Sequence, residues 1–91
     1  MKQSFKRKPV TFTFKSDPGK DVFIAGSFNN WDQRHNQLTE TNRPGIYTTM
    51  IMVARGRYEY KFVVDNVWHI DPKNPESVVN DHGWMNSTLT V

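Results

Sequence analysis

Apolar residues in this chain recur at every second position, in short runs separated by turn chemistry, and no apolar stripe with helical spacing reaches a useful length. Val10, Phe12 and Phe14 alternate with Thr11, Thr13 and Lys15, the pattern of a half-buried strand. Ser16-Asp17-Pro18-Gly19-Lys20 then supplies a turn, with Pro18 fixing φ and Gly19 free to take positive φ. Val22 and Ile24, with Gly26, form the inward set of the next strand. Asn42-Arg43-Pro44-Gly45 is another turn, after which Tyr47, Thr49, Ile51 and Val53 alternate along a third strand. Ala54-Arg55-Gly56-Arg57 is expected to close a hairpin into Tyr58, Tyr60, Phe62 and Val64. Asp65-Asn66 suits a two-residue turn, because both residue types tolerate the left-handed region. A short strand follows at Val67–Ile70, and a last one at Thr88–Val91. Between them Asp71-Pro72-Lys73-Asn74-Pro75-Glu76 cannot pair regularly, since each proline lacks the N–H that a ladder needs.

At least six short strands with frequent turns predict an all-β protein, an immunoglobulin-like β-sandwich. With 91 residues there is room for one domain, near the lower limit for a core that stabilises itself. Only 36% of residues are hydrophobic while 13% are aromatic, so Phe, Tyr and Trp must supply much of that core. The chain has no cysteine, which excludes a disulfide frame and a thiolate metal site and favours a cytoplasmic setting. No apolar run follows the basic start as a signal peptide would require, and none approaches transmembrane length.

The net charge of +3 is unevenly placed. Lys2, Lys6, Arg7 and Lys8 are four of the twelve basic residues, leaving eight basic against nine acidic side chains elsewhere. Residues 1–7 therefore read as a basic flexible tail and residues 8–91 as a single module. The tail would suit nucleic acid or an anionic surface. A solvated, frayed terminus is the preferred reading.

The candidate chemistry lies in two tryptophan-bearing turns. Val22-Phe23-Ile24-Ala25-Gly26 runs into Ser27-Phe28-Asn29-Asn30-Trp31-Asp32, which sets a large indole among amides and a carboxylate. Tyr60-Lys61-Phe62-Val63-Val64-Asp65-Asn66-Val67-Trp68 brings a second indole just past the Asp65-Asn66 turn. If Tyr58, Tyr60, Phe62 and Val64 face the core, parity turns Glu59, Lys61 and Val63 outward. Lys61 is then exposed on a sheet face beside the hairpin that carries Trp68. Indoles offer flat apolar area, and ammonium and amide groups offer hydrogen bonds, which together suit a hydroxyl-rich ring.

These motifs resemble carbohydrate-binding module family 48, over roughly residues 8–91. That family includes the glycogen-binding domain of AMP-activated kinase β subunits and the N-terminal early-set domains of isoamylases and branching enzymes. The resemblance implies an early-set sandwich and non-catalytic binding of α-1,4-glucans such as glycogen, starch and maltooligosaccharides. Family members use the tryptophan of Ser-Phe-Asn-Asn-Trp, the lysine of Tyr-Lys-Phe and the tryptophan after the next turn, which match Trp31, Lys61 and Trp68. The kinase subunits also carry Leu-Gly-Thr-x-Asn, where this chain has His82-Gly83-Trp84-Met85-Asn86. Asn86 carries over as a hydroxyl partner. His82 stands in place of the leucine and Trp84 in place of the threonine, so polar contact and stacking are expected of them instead.

Each residue also has a purely structural reading. A tryptophan in a small sandwich is commonly core. Val67 and Ile70 leave room for that role at Trp68, and Trp84 could equally plug the open end of the sandwich. Lys61 alone would be an ordinary solvated strand residue. His69, Asp71, Asp81 and His82 fit no established zinc spacing, and no nucleophile triad or phosphate loop is present. Neither a catalytic role nor a cofactor is expected. The expected partner is a glucan, with docking to a glucan-processing enzyme as the alternative, and neither a membrane nor nucleic acid is favoured.

Overall fold

The computed structural model describes residues 6–91, so most of the basic tail (Met1 to Phe5) lies outside the described residues. Eight strands follow in chain order: β1 (Arg7–Lys15), β2 (Val22–Gly26), β3 (Asn36–Glu40), β4 (Ile46–Ala54), β5 (Arg57–Val64), β6 (Val67–His69), β7 (Ser77–Val79) and β8 (Met85–Thr90). A single 3-10 turn, Ser27–Asn29, follows β2. All pairings are antiparallel, in the order β1-β4-β3-β2-β5-β8-β7, with β6 also on β5. The sheet curls over on itself into the all-β sandwich expected from the alternation. No helix among the described residues is long and apolar enough to cross a membrane.

β3 makes the curl possible. Its residues Asn36, Gln37 and Leu38 pair with β2, and its residues Thr39 and Glu40 pair with β4. One strand thus hands over from one layer to the other at a corner. Phe12, Phe14, Val22, Ile24, Leu38, Tyr47, Tyr60, Phe62 and Val64 converge between the layers as the core. Phe14 meets Phe62 at 4.8 Å between ring centroids, and Tyr60 sits edge-on to both Phe12 and Phe62. Aromatic area thus substitutes for the aliphatic residues that the composition lacks.

Three expectations need correction. Ala54-Arg55-Gly56-Arg57 turns the chain, but β4 and β5 do not pair with each other. β4 pairs with β1 and β3, while β5 pairs with β2, β6 and β8. The turn carries the chain from one layer to the other, and Gly56 is tied instead to Val91 by two backbone hydrogen bonds. The last strand begins at Met85 rather than Thr88 and ends at Thr90. Val63 does lie on the outward side of β5, opposite Phe23 and Trp68, yet it is buried there, because that face is covered rather than open.

The Asp65-Asn66 turn forms as expected, with φ of 47° and 69°. The backbone N–H of Asp21 donates to Asp65 Oδ1, and that bond, followed by the Lys20 ammonium, holds the Asp65 carboxyl below its ordinary range. The two-proline segment is irregular but pinned. Tyr60 donates its hydroxyl to Asp71 Oδ2 (2.7 Å), Asn74 Nδ2 donates to the Thr88 carbonyl (2.7 Å), and the Asp71 N–H donates to Ser87 Oγ (2.8 Å). Burial pushes the Tyr60 phenol far above its usual range, which keeps it a neutral donor.

Candidate functional site

β5 explains how residues far apart in sequence meet. One of its edges is shared by two partners: β6 pairs with Phe62, Val63 and Val64, and β8 pairs with Arg57 to Tyr60. Lys61 falls in the gap where β6 leaves and β8 takes over. On the other edge it faces Ala25, one residue before β2 ends at Gly26. The outward face at Lys61 is therefore bordered by the end of β2, by β6 and by β8. These three elements carry, or lead directly to, Trp31, Trp68 and Asn86.

Trp31 reaches this face through a tightly specified turn. Asn29 Oδ1 accepts the Gly26 N–H (3.0 Å), while its Nδ2 donates to the Ile24 carbonyl (3.1 Å) and to Asn36 Oδ1 (2.8 Å). Asn29 therefore builds the turn rather than offering its amide to a ligand. The Trp31 N–H closes back onto the Gly26 carbonyl at 2.8 Å. Both Asn30 and Trp31 then take positive φ, 58° and 57°. For a bulky residue this is an uncommon conformation, and such backbone strain concentrates where a side chain has to be aimed.

Gly26 is required for space rather than for φ, since its backbone is extended. A Cβ there would lie 2.6 Å from the Glu59 carbonyl oxygen and 2.9 Å from Tyr60 Cβ. Gly26→Ala is expected to cost about 1–3 kcal/mol by overpacking against backbone that cannot retreat, read as a lowered unfolding midpoint.

The indoles of Trp31 and Trp68 lie with centroids 6.5 Å apart and planes inclined at 47°. They are 37% and 41% exposed, so neither is a core residue. Trp84 is 64% exposed and closes no end of the sandwich. Its loop is organised by Asn80, whose Oδ1 accepts the N–H groups of both His82 (2.9 Å) and Trp84 (3.0 Å) and whose own N–H donates to the Trp84 carbonyl (2.7 Å). The Lys61 ammonium sits 5.9 Å from the Trp84 ring centroid, a cation–π placement. Lys61 is half-buried, less exposed than parity alone suggests.

Together these residues line an open hollow of about 650 Å³: Trp31, Glu59, Lys61, Trp68, Asn80, Trp84 and Asn86. Five of the six residues singled out from the sequence meet there. His82 is not in the lining, and its ring lies 5.7 Å from that of Trp84 at the margin. Sequence reasoning missed Glu59 and Asn80. Parity had turned Glu59 outward, but nothing local marked it as different from a solvated carboxylate. Asn80 is recognisable only as the pivot of the 80–84 turn. His69 and Asp71 are engaged elsewhere, the former against Phe14 and the latter with Tyr60. No cluster of metal-ligating side chains occurs among the described residues.

Residues 8–91 match the protein family described as the glycogen recognition site of AMP-activated protein kinase. The 5'-AMP-activated protein kinase subunit beta-1 of Sus scrofa is 32% identical over 90 residues, covering 99% of this chain and 69% of that protein. The beta-2 subunit of Homo sapiens is 36% identical over 76 residues, covering 84% of this chain and 26% of its own length. Protein FLOURY ENDOSPERM 6, chloroplastic, of Oryza sativa subsp. japonica is 37% identical over 76 residues, 84% of this chain. The chain spans only 14% of the length of that rice protein. This chain belongs to the glycogen-recognition family, carbohydrate-binding module family 48, as its motifs indicated.

Proposed function

We propose that this member of the family is a non-catalytic module that binds α-1,4-glucans by stacking sugar rings on Trp31 and Trp68. The observation that carries this reading is the pair of half-exposed indoles inclined at 47° in one hollow with Lys61. Two inclined platforms follow the curvature of an α-glucan, whereas a flat β-glucan ribbon can lie on only one of them. The apolar C–H face of a glucose ring rests on each indole. Hydroxyls at the ring rim take hydrogen bonds from the Lys61 ammonium and exchange them with the Asn86 amide. Trp84 adds a third apolar wall across the hollow, and His82 stands behind it at the margin.

Maltoheptaose is expected to bind with Kd between micromolar and millimolar. An open hollow contacts only part of each sugar, so the yield stays well under the ceiling of ~0.3–1.5 kcal/mol per ligand atom. Titration calorimetry and retention on insoluble glycogen measure this, with maltoheptaose as competitor and cellohexaose as the weaker control. Absence of both heat and retention overturns the reading. Binding should also depend little on salt, because a neutral glucan releases no counterions; a steep salt slope would indicate a phosphate ligand. Docking to a partner protein is the second reading, favoured by relatives that are named as subunits of a kinase. Glycogen retention by the isolated chain separates the two.

A further inference from the structure

We infer that Glu59 is a positioning residue for glucan recognition: its carboxylate fixes the direction of the Asn86 amide. This rests on the reading of the hollow as a glucan site. Asn86 Nδ2 donates to Glu59 Oε1 at 2.9 Å, across the β5–β8 ladder and between residues 27 apart in sequence. The two side chains project from the same sheet face. Glu59 pairs with Thr88, and Asn86 lies two positions before Thr88 on β8. This is a diagonal cross-strand contact, within reach only of long side chains.

The chemistry of the pair is one-directional. An ionised carboxylate only accepts hydrogen bonds, whereas a carboxamide has one accepting and one donating end. Beside Glu59 the Asn86 amide must therefore turn its NH₂ toward the carboxylate, which leaves Oδ1 at the other end. Asn86 is only 5% exposed. Its Oδ1 has no hydrogen-bond partner among the described residues, and no fully buried polar side-chain atom there lacks one. The oxygen is therefore not fully buried, and Asn86 belongs to the lining of the hollow. Lys61 can only donate, so the oriented amide supplies the acceptor that a neighbouring sugar hydroxyl needs for its own proton.

Glu59 is well fixed for the task. Its backbone N–H donates to Ser27 Oγ at 3.1 Å, and its carbonyl lies where the absence of a side chain at Gly26 leaves room for it. Its carboxylate forms no ion pair with Lys61, although both residues line the hollow. The ammonium is placed over Trp84, and Oε1 of the carboxylate takes the Asn86 amide.

The test uses the whole chain and two substitutions at Glu59. Glu59→Met removes the acceptor at similar size and should weaken maltoheptaose binding roughly three- to tenfold, the worth of one net hydrogen bond, in a protein that still folds but melts somewhat lower, because a largely buried amide has lost its partner. Glu59→Gln keeps a partner but no longer dictates direction, so its loss should be smaller. In an Asn86→Ala background both changes at Glu59 should have no further effect on affinity. Losses that add in that background, or wild-type affinity in Glu59→Met, overturn the proposal. A readout without glucan separates this from failure of the functional reading. By NMR of the free protein, the Asn86 side-chain amide protons should be protected from exchange in the wild type and lose protection in Glu59→Met. Equal protection in both proteins overturns the positioning role whether or not the wild type binds maltoheptaose, and it needs no Asn86 variant to fold.

Discussion

Phe62→Ala is expected to lower stability by about 3–5 kcal/mol, the largest loss among the substitutions considered. Phe62 is fully buried at the centre of the aromatic core, tilted against Phe14 at 4.8 Å and edge-on to Tyr60 at 5.9 Å. It is paired on both sides, with Ile24 of β2 and His69 of β6, so the ladder resists collapse into the cavity. A domain of this size changes its unfolding midpoint by about 4–8 °C per kcal/mol, so the transition should fall by more than about 12 °C. Lys61→Ala, one residue away, should leave that transition in place and weaken glucan binding instead. Thermal denaturation of the two variants side by side is the measurement. If Lys61→Ala unfolds the protein while Phe62→Ala is silent, the face assignment along β5 is inverted.

That contrast rests on parity, and parity was the most legible feature of the sequence. Alternation alone placed Phe12, Phe14, Val22, Ile24, Tyr47, Tyr60, Phe62 and Val64 toward the interior, and all are buried. It worked because a sheet residue has only two directions, and one of them was marked by aromatic or β-branched side chains. Strands with a weak mark were missed. β3 buries one large apolar side chain, Leu38, amid Asn36, Gln37, Thr39 and Glu40, and β7 is three residues long at an edge. The crossing between layers was also invisible, since Ala54 to Arg57 carries turn chemistry that does not reveal which strands pair afterwards. Val63 shows the limit of parity: its direction was right, but its burial depends on what covers the face.

The hollow was legible to a similar degree, and for a related reason. Trp31, Trp68 and Trp84 stand out anywhere, because an indole among amides or beside a turn needs an explanation. Glu59 and Asn80 do not stand out. A glutamate on a strand and an asparagine in a turn are each ordinary, and both draw their roles from partners. Those partners are Asn86, fixed by the β5–β8 ladder, and the N–H groups of the 80–84 turn. A contact between residues 27 apart leaves no local trace in either segment.

The strongest effect on binding should come from the two facing indoles. Trp31→Ala and Trp68→Ala are each expected to weaken maltoheptaose binding by about 1–3 kcal/mol, the range for loss of a stacking aromatic from a planar ligand. That corresponds to roughly five- to 150-fold in Kd, enough to carry a weak ligand beyond detection in the less favourable case. The two losses should not add fully. At 6.5 Å between centroids, each ring supports the other's orientation, and a glucan that has lost one platform meets the second less well. Stability should respond little at Trp31, because its ring is 37% exposed and the turn that presents it is held by Asn29 and by backbone, not by the indole. Truncation to alanine leaves residue 31 at positive φ, a conformation that alanine accepts no more readily than tryptophan, so the backbone cost should not rise. Calorimetry for affinity and thermal denaturation for stability, on both single variants and the double, test all three statements. A Trp31→Ala protein that binds maltoheptaose as the wild type does, or that loses its fold, would remove this tryptophan from the binding surface.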